Sequence, residues 1–402
     1  MKTIADGSVT SPGAFSAAGI HCGVKADPEA LDMALVYSTV PATAAAVYTT
    51  NQVQAAPILI DREHLANGCA RAVILNSGNA NACTGDQGEK DGRSMCEQAA
   101  TALGLEPVEV LVCSTGVIGV QLPMEAIGDG IPRAVAALAD DRGNQAAAAI
   151  MTTDTFAKSY ALELDLDGVP VRIGGMAKGA GMIAPNMATM LSVVTTDAAV
   201  ESGLLQRLLL GAVQRSFNSI TVDGDMSTND TVIVLANGDS GASELVEGGA
   251  AVESFAAGLE LVCRELARMI ARDGEGATKL VTIKVSTARS QEEARQVGLS
   301  VANSNLVKTA IFGCDPNWGR ILCAIGYAGV SVDPAKVAVL LCGEPIYANG
   351  AGLSFDKENL VQAMRSDEIA VDIRLGEGAS EAEVFTCDFS YDYVRINAEY
   401  TT

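Results

Sequence analysis

The stretch Ala184-Pro185-Asn186-Met187-Ala188-Thr189-Met190-Leu191 supports two readings. In one, it is a loop entering a strand, and Thr189 is an ordinary β-branched strand residue. In the other, Thr189 becomes a nucleophile by cleavage of the backbone before it. Its hydroxyl would attack the Ala188 carbonyl, an N→O acyl shift would give an ester, and water would release the upstream chain. The new α-amine then serves as the threonine's own general base. With a reference pKa of about 7.7–8, that amine is matched to proton transfer near neutral pH. Such chemistry needs no catalytic histidine, metal or cofactor, and none is expected here. The chain has only two histidines, His21 and His64, so a histidine-rich metal centre is excluded. Any Ser-His-Asp scheme must run through one of those two.

Other stretches carry weaker signals. Gly174-Gly175-Met176-Ala177-Lys178-Gly179-Ala180-Gly181 is glycine-rich around a lysine, but Gly179 and Ala180 stand where a phosphate loop needs Ser or Thr. It reads as a turn, or as a loop where backbone approaches a small ligand. Asp223-Gly224-Asp225-Met226-Ser227-Thr228-Asn229-Asp230 has acidic residues at calcium-loop spacing but no bidentate Glu at the twelfth position. Short polar side chains bonding nearby amides, and so holding a buried turn, suit it better. Asp315-Pro316-Asn317-Trp318-Gly319-Arg320 reads as a partner contact or a packed corner.

The elements that must position these residues follow from apolar patterning. Ala72–Leu75 and Glu109–Cys113 read as buried strands breaking into the loops 76–85 and 114–119, while Ser94–Leu103 and Pro132–Asp140 read as helices. Leu162, Leu164 and Leu166 alternate towards an Asp167-Gly168 turn, and Val169, Val171 and Ile173 alternate back, which predicts a hairpin. A strand over 190–196 and a helix over 201–217 follow. Leu259, Val262, Leu266 and Ile270 share one face of a helix near 250–271 that stops at Asp273-Gly274. Strand 281–285 and a charged helix at 290–297 come next. The last hundred residues hold strands at 337–341, 369–373 and 384–389 and a helix near 357–365. The mixture predicts an α+β layered sandwich over 1–285 and a smaller C-terminal domain over 286–402.

The chain has 402 residues, a net charge of −22 and a mean hydropathy of +0.24. That acidity argues against nucleic acid and anionic membrane as partners. No apolar run is long enough to span a membrane, and MKTIADGSVTSPGAF lacks a signal-peptide core. Ten cysteines with no CxxC spacing suit reduced, mostly buried thiols in the cytoplasm.

KGAGMIAPNMATML (178–191) resembles the self-cleavage segment of the ornithine acetyltransferase family, the bifunctional glutamate N-acetyltransferases of arginine biosynthesis. NSGNANACTG (76–85), CSTGVIG (113–119), IMTTDTF (150–156), SFNSITVDGDMSTNDTV (216–232), ARDGEGATK (271–279), FGCDPNWGRI (312–321) and YVRINAEYTT (393–402) resemble family segments in family order. The resemblance implies an αββα sandwich with a smaller C-terminal α/β domain. It implies cleavage between Ala188 and Thr189 into α (1–188) and β (189–402) chains, assembled as an (αβ)₂ heterotetramer. Thr189 would be the nucleophile, and Thr115 and Gly116 the oxyanion hole. Thr152, Lys178, Thr189, Glu275, Asn397 and Thr402 would bind substrate. The implied reaction moves acetyl from N²-acetyl-L-ornithine to L-glutamate through an acetyl-Thr189 ester, with acetyl-CoA as a further candidate donor. Lys178 suits a carboxylate and Glu275 an ammonium. The tail 393–402 reads as strand-like and tucked into the site. The alternatives are a self-processing N-terminal-nucleophile aminopeptidase or amidase, in which water accepts the acyl group, and an uncleaved protein that senses arginine intermediates.

Overall fold

The computed structural model describes residues 1–184 and 190–399. Its centre is a pair of sheets. One has strands in the order Phe15–Ile20, Met33–Ser38, Ala72–Asn79 and Val110–Val117, the last two parallel. The other runs Lys2–Thr3, Lys158–Leu166, Val169–Lys178, Leu191–Thr196, Thr231–Ala236 and Thr43–Tyr48, with a parallel pair at Leu191–Thr196 and Thr231–Ala236. Inner-face side chains from both sheets form one core. Ala17, Val36, Val73 and Leu111 meet Ala44, Met176, Val193 and Ile233. Many of these are alanine or valine, which lets the sheets approach closely.

Helices close both outer faces. Ser202–Gln214 and Val252–Arg272 cover the second sheet through Leu205, Leu209, Phe255, Leu259 and Leu266. Gly85–Leu103 and Met124–Ala136 cover the first through Met95, Ala99, Ile127 and Ile131. The layering is the expected αββα sandwich, and the fold is α+β. A third sheet follows, in the order Ala351–Gly352, Glu344–Ala348, Ala338–Leu341, Glu368–Arg374, Leu280–Ala288 and Ser380–Cys387. Helices Gln291–Ala302, Asn305–Phe312 and Trp318–Gly326 pack on it. Strand Leu280–Ala288 runs through the expected 285/286 division and lies between Glu368–Arg374 and Ser380–Cys387.

The structure corrects several boundaries. The glycine-rich segments expected as loops at 76–79 and 114–117 continue the strands, pairing Gly78 with Gly116 across a bulge at Asn79. The helix expected to begin at Pro132 begins at Met124 and carries Pro132 in its interior. Pro132 lies on the exposed face, so water can bond the carbonyl it orphans, while Ile127, Ile131 and Ala134 are buried. Over its described residues the tail is not a strand: Tyr391–Glu399 is a helix, stacked through Tyr393 on Phe389 with ring centroids 4.5 Å apart. All ten cysteines are free thiols, five of them buried, including Cys113 and Cys263. No described helix is long and apolar enough to cross a membrane.

Leu266 is fully buried against Gly175, in the strand that ends at Lys178. Leu266→Ala should lower stability by about 2–5 kcal/mol, read as a lower urea midpoint. An unchanged midpoint would show that the helix does not anchor this strand.

Candidate active site

A cavity of about 280 Å³ opens where strands Val110–Val117 and Val169–Lys178 end. Thr115, Gly116, Thr152, Lys178, Glu275 and Asn397 all line it. Those six are the described members of the expected site. Ala188, Thr189 and Thr402 lie outside the described residues. Flanking the expected cleavage segment, Gly181 and Met182 line the cavity on one side, and Met190 is buried on the other.

The oxyanion candidates sit on the bulge. Gly116 has φ +133°, and a Cβ there would come within 2.3 Å of the Gly78 carbonyl carbon. Only glycine lets the two strands cross this closely with that backbone. The Thr115 hydroxyl accepts from Lys178 Nζ at 3.4 Å. An ammonium can only donate. Among the described residues the Thr115 hydroxyl has no other partner, so its own proton is available to an oxyanion in the cavity.

Lys178 ends its strand with a side chain only 2% exposed. Burial pushes its ammonium down from the usual lysine range, and neighbouring Asp154, Asp230 and Glu275 oppose that. Asp154 is the strongest of them. Burial would push its carboxyl up, but Lys178 and Lys158 hold it down at about 2. Asp154 also accepts from the Thr152 amide at 2.9 Å and the Gly179 amide at 2.7 Å, fixing the backbone of two cavity segments.

Glu275 follows the end of helix Val252–Arg272 and is 9% exposed, not solvated. Its amide donates to the Ala180 carbonyl at 2.8 Å, and its Oε2 accepts from Asn397 Nδ2 at 2.8 Å. Gly181 makes room for it, since a Cβ there would fall 2.3 Å from the Glu275 carboxyl carbon. Asn397 reaches the site from the last helix. Thr153 lines the cavity beside Thr152.

The 223–230 stretch, ambiguous in the sequence, proves to be one wall. Asp223 accepts from the Met182 and Ile183 amides at 2.6 and 2.9 Å, tying down the start of the expected cleavage segment. Burial raises its carboxyl, as it raises the Tyr393 phenol opposite. Asn229 donates to the carbonyls of Ala80 and Ser114 at 2.6 and 2.8 Å, bracing the bulge next to Thr115. Asp230 Oδ1 accepts from the Met190 amide at 2.9 Å, and burial pushes that carboxyl well above the usual range. Sequence reasoning missed Asp154, Asp223, Asn229, Asp230 and Tyr393 as site residues. The available signal was short polar side chains capable of holding backbone.

The ArgJ family model matches residues 16–402. The chain is 49% identical over 397 residues to the arginine biosynthesis bifunctional protein ArgJ of Symbiobacterium thermophilum, covering 98% of this chain and 99% of that protein. It is 51% identical over 391 residues to the protein of the same name from Geobacter sulfurreducens, covering 96% and 99%. The crystal structure of the Bacillus halodurans protein of that name is 42% identical with a TM-score of 0.52, covering 53% of this chain and 100% of that chain.

Gly181→Ala should push the Glu275 carboxylate out of place. Binding of any ligand whose ammonium pairs with Glu275 should weaken about tenfold or more by calorimetry, with the circular dichroism spectrum unchanged. Undiminished affinity would remove Glu275 from the binding surface.

Proposed function

The chain belongs to the ArgJ family, and on that premise we propose that it transfers acetyl from N²-acetyl-L-ornithine to L-glutamate through an acetyl ester on Thr189. The observation that carries this reading is the gathering of Thr115, Gly116, Thr152, Lys178, Glu275 and Asn397, from segments far apart in the chain, around one cavity. Its charges fit amino-acid substrates. Lys178 takes the carboxylate, and Glu275, held by Asn397, takes an ammonium, while Thr152 adds a neutral hydrogen bond. Thr402 completes the substrate contacts.

Chemistry proceeds in two halves. The Thr189 hydroxyl, deprotonated by its own α-amine, attacks the acetyl carbonyl of the donor. The developing oxyanion accepts hydrogen bonds from the Thr115 hydroxyl and the Gly116 amide. The amine then returns its proton to the leaving nitrogen, ornithine departs, and an acetyl ester stays on Thr189. Glutamate enters with its α-amine free and takes the acetyl by the reverse steps. Removing one oxyanion donor costs about 2.7–4 kcal/mol of transition-state stabilisation. Acetyl-CoA is a further candidate donor for glutamate.

The same hydroxyl performs the self-cleavage. The full length of the Bacillus halodurans chain corresponds to 53% of this one, which is the share that residues 189–402 make up. That agreement supports a cut at 188/189. After it, Val169–Lys178 and Leu191–Thr196 remain antiparallel neighbours in one sheet, so backbone hydrogen bonds hold the α and β chains together. The assembly is an (αβ)₂ heterotetramer of the cytoplasm.

Thr189→Ala should leave one 41.3 kDa chain on a denaturing gel and abolish acetyl transfer, whereas Thr189→Ser should retain partial cleavage. Two bands split at 188/189 in the alanine variant would refute the mechanism. Thr115→Ala should lower kcat about a hundred- to a thousandfold with little change in KM, because an oxyanion exists only near the transition state. A raised KM at unchanged kcat would show that Thr115 binds substrate uniformly.

A further inference from the structure

Strand Val110–Val117 lies at the edge of its four-stranded sheet, paired with Ala72–Asn79 on one side only. An edge strand presents a row of backbone N–H and C=O groups with no further strand to receive them. This edge is buried, since residues 110–115 are at most 3% exposed, so its outward groups need other partners. Three side chains serve among the described residues. His64 Nδ1 donates to the Val110 carbonyl at 2.7 Å, and Asp61 Oδ1 accepts from the Val112 amide at 2.8 Å. Asn229 Nδ2 donates to the Ser114 carbonyl at 2.8 Å. Outward groups fall on alternate residues of a strand. The next in line is therefore the amide of Gly116, and Gly116 lines the cavity.

Asn229 does more than end the row. Its Nδ2 also donates to the Ala80 carbonyl at 2.6 Å, and the Ala80 amide donates to the Val117 carbonyl at 2.9 Å. One amide group thus closes a clamp on both sides of Gly116, directly at Ser114 and through Ala80 at Val117. Carbonyls can only accept, so Nδ2 is the atom that faces them. Thr228 Oγ1 donates to Asn229 Oδ1 at 2.6 Å and fixes the amide plane. The clamp matters because Gly116, at φ +133°, has no Cβ to limit rotation of its backbone.

We propose that Asn229 is a positioning residue that aims the Gly116 amide at the acyl oxygen, and so sets the rate of both acetyl transfer and self-cleavage. The proposal rests on the transferase reading above, with Thr115 and Gly116 as oxyanion donors. A clamp that only stabilised the fold would move the melting temperature and leave the kinetics alone. One that aims an oxyanion donor acts on the transition state, so its loss appears in kcat at unchanged KM. His64 supplies the contrast within the same strand, because it holds the Val110 carbonyl, well before Gly116.

The test compares N229S, T228V and H64L with wild type. Self-cleavage is timed on denaturing gels, kcat and KM for N²-acetyl-L-ornithine with glutamate are measured on the cut enzyme, and melting is recorded. Serine is too short to reach both carbonyls. N229S should lower kcat about ten- to a hundredfold, as a misplacement near 1 Å does, with KM held and cleavage slowed. T228V keeps Asn229 but frees its amide to turn, so kcat and cleavage should fall in the same direction by a smaller factor. It decides alone if N229S does not melt cooperatively. H64L should melt lower with kcat and cleavage as in wild type. A variant at 228 or 229 that stays uncut while melting like wild type also supports the proposal. Unchanged kcat and cleavage in the folded variants overturn it, as does a raised KM at unchanged kcat or an equal kcat loss in H64L. A wild-type enzyme that cuts itself but moves no acetyl overturns the transferase reading instead, and the cleavage rates then decide the role of Asn229.

Discussion

A lysine ammonium that has almost no contact with water governs the design of this molecule. Charge buried between packed sheets is costly unless paired and hydrogen-bonded. Lys178 ends a core strand and donates to the Thr115 hydroxyl, while the charges of Asp154, Asp230 and Glu275 oppose the effect of its burial. Each of those partners has its own tether. Asp154 is held by Lys158, Glu275 by Asn397 and its bond to Ala180, and Thr115 by the bulge against Gly78. The αββα layering supplies the dry interior in which these interactions are strong, and the helices on both faces keep it dry.

That constraint explains why the cavity suits small zwitterionic substrates. Its polar groups are of both signs, placed apart, and preorganised by backbone amides and carbonyls. In the proposed reaction a substrate carboxylate meets the lysine, an ammonium meets the glutamate, and the acyl group between them is brought to Thr115 and Gly116. Preorganised donors in a poorly solvated site act on a developing charge without reorganising during the reaction. The acidic surface, with a net charge of −22, contributes nothing comparable, because exposed charges are screened within about 10 Å in ordinary salt.

The layered α+β class and the hairpin turning at Asp167-Gly168 were legible in the sequence because strict alternation and a turn dipeptide are local signals. So was the face of helix Val252–Arg272, from the spacing of Leu259, Val262, Leu266 and Ile270. The six expected residues that line the cavity were singled out through whole-motif resemblance; taken singly, Glu275 reads as a solvated residue. Local pattern failed where tertiary packing decided the outcome. Helix Gly85–Leu103 extends through glycines that a propensity argument rejects, because Gly92 is where Ile60 presses on the helix. The last helix looked like a strand, since Tyr393, Arg395 and Asn397 alternate with Val394 and Ile396. In the structure it is a helix, with Tyr393 stacked on Phe389. Asp154, Asn229 and Asp230 escaped notice because their partners are backbone amides and carbonyls, or side chains far along the chain, and single-sequence spacing carries no trace of them.

In the proposed mechanism acetyl rests covalently on Thr189 between the two half-reactions. This is tested most directly by intact mass spectrometry of the enzyme mixed with N²-acetyl-L-ornithine alone, then with glutamate added. The account predicts one acetyl group on the 189–402 chain, mapped to its first residue, and its prompt loss to N-acetylglutamate when glutamate arrives. Absence of the adduct with transfer intact would contradict the account. So would release of free acetate at the same rate with and without glutamate, which would mark a hydrolase.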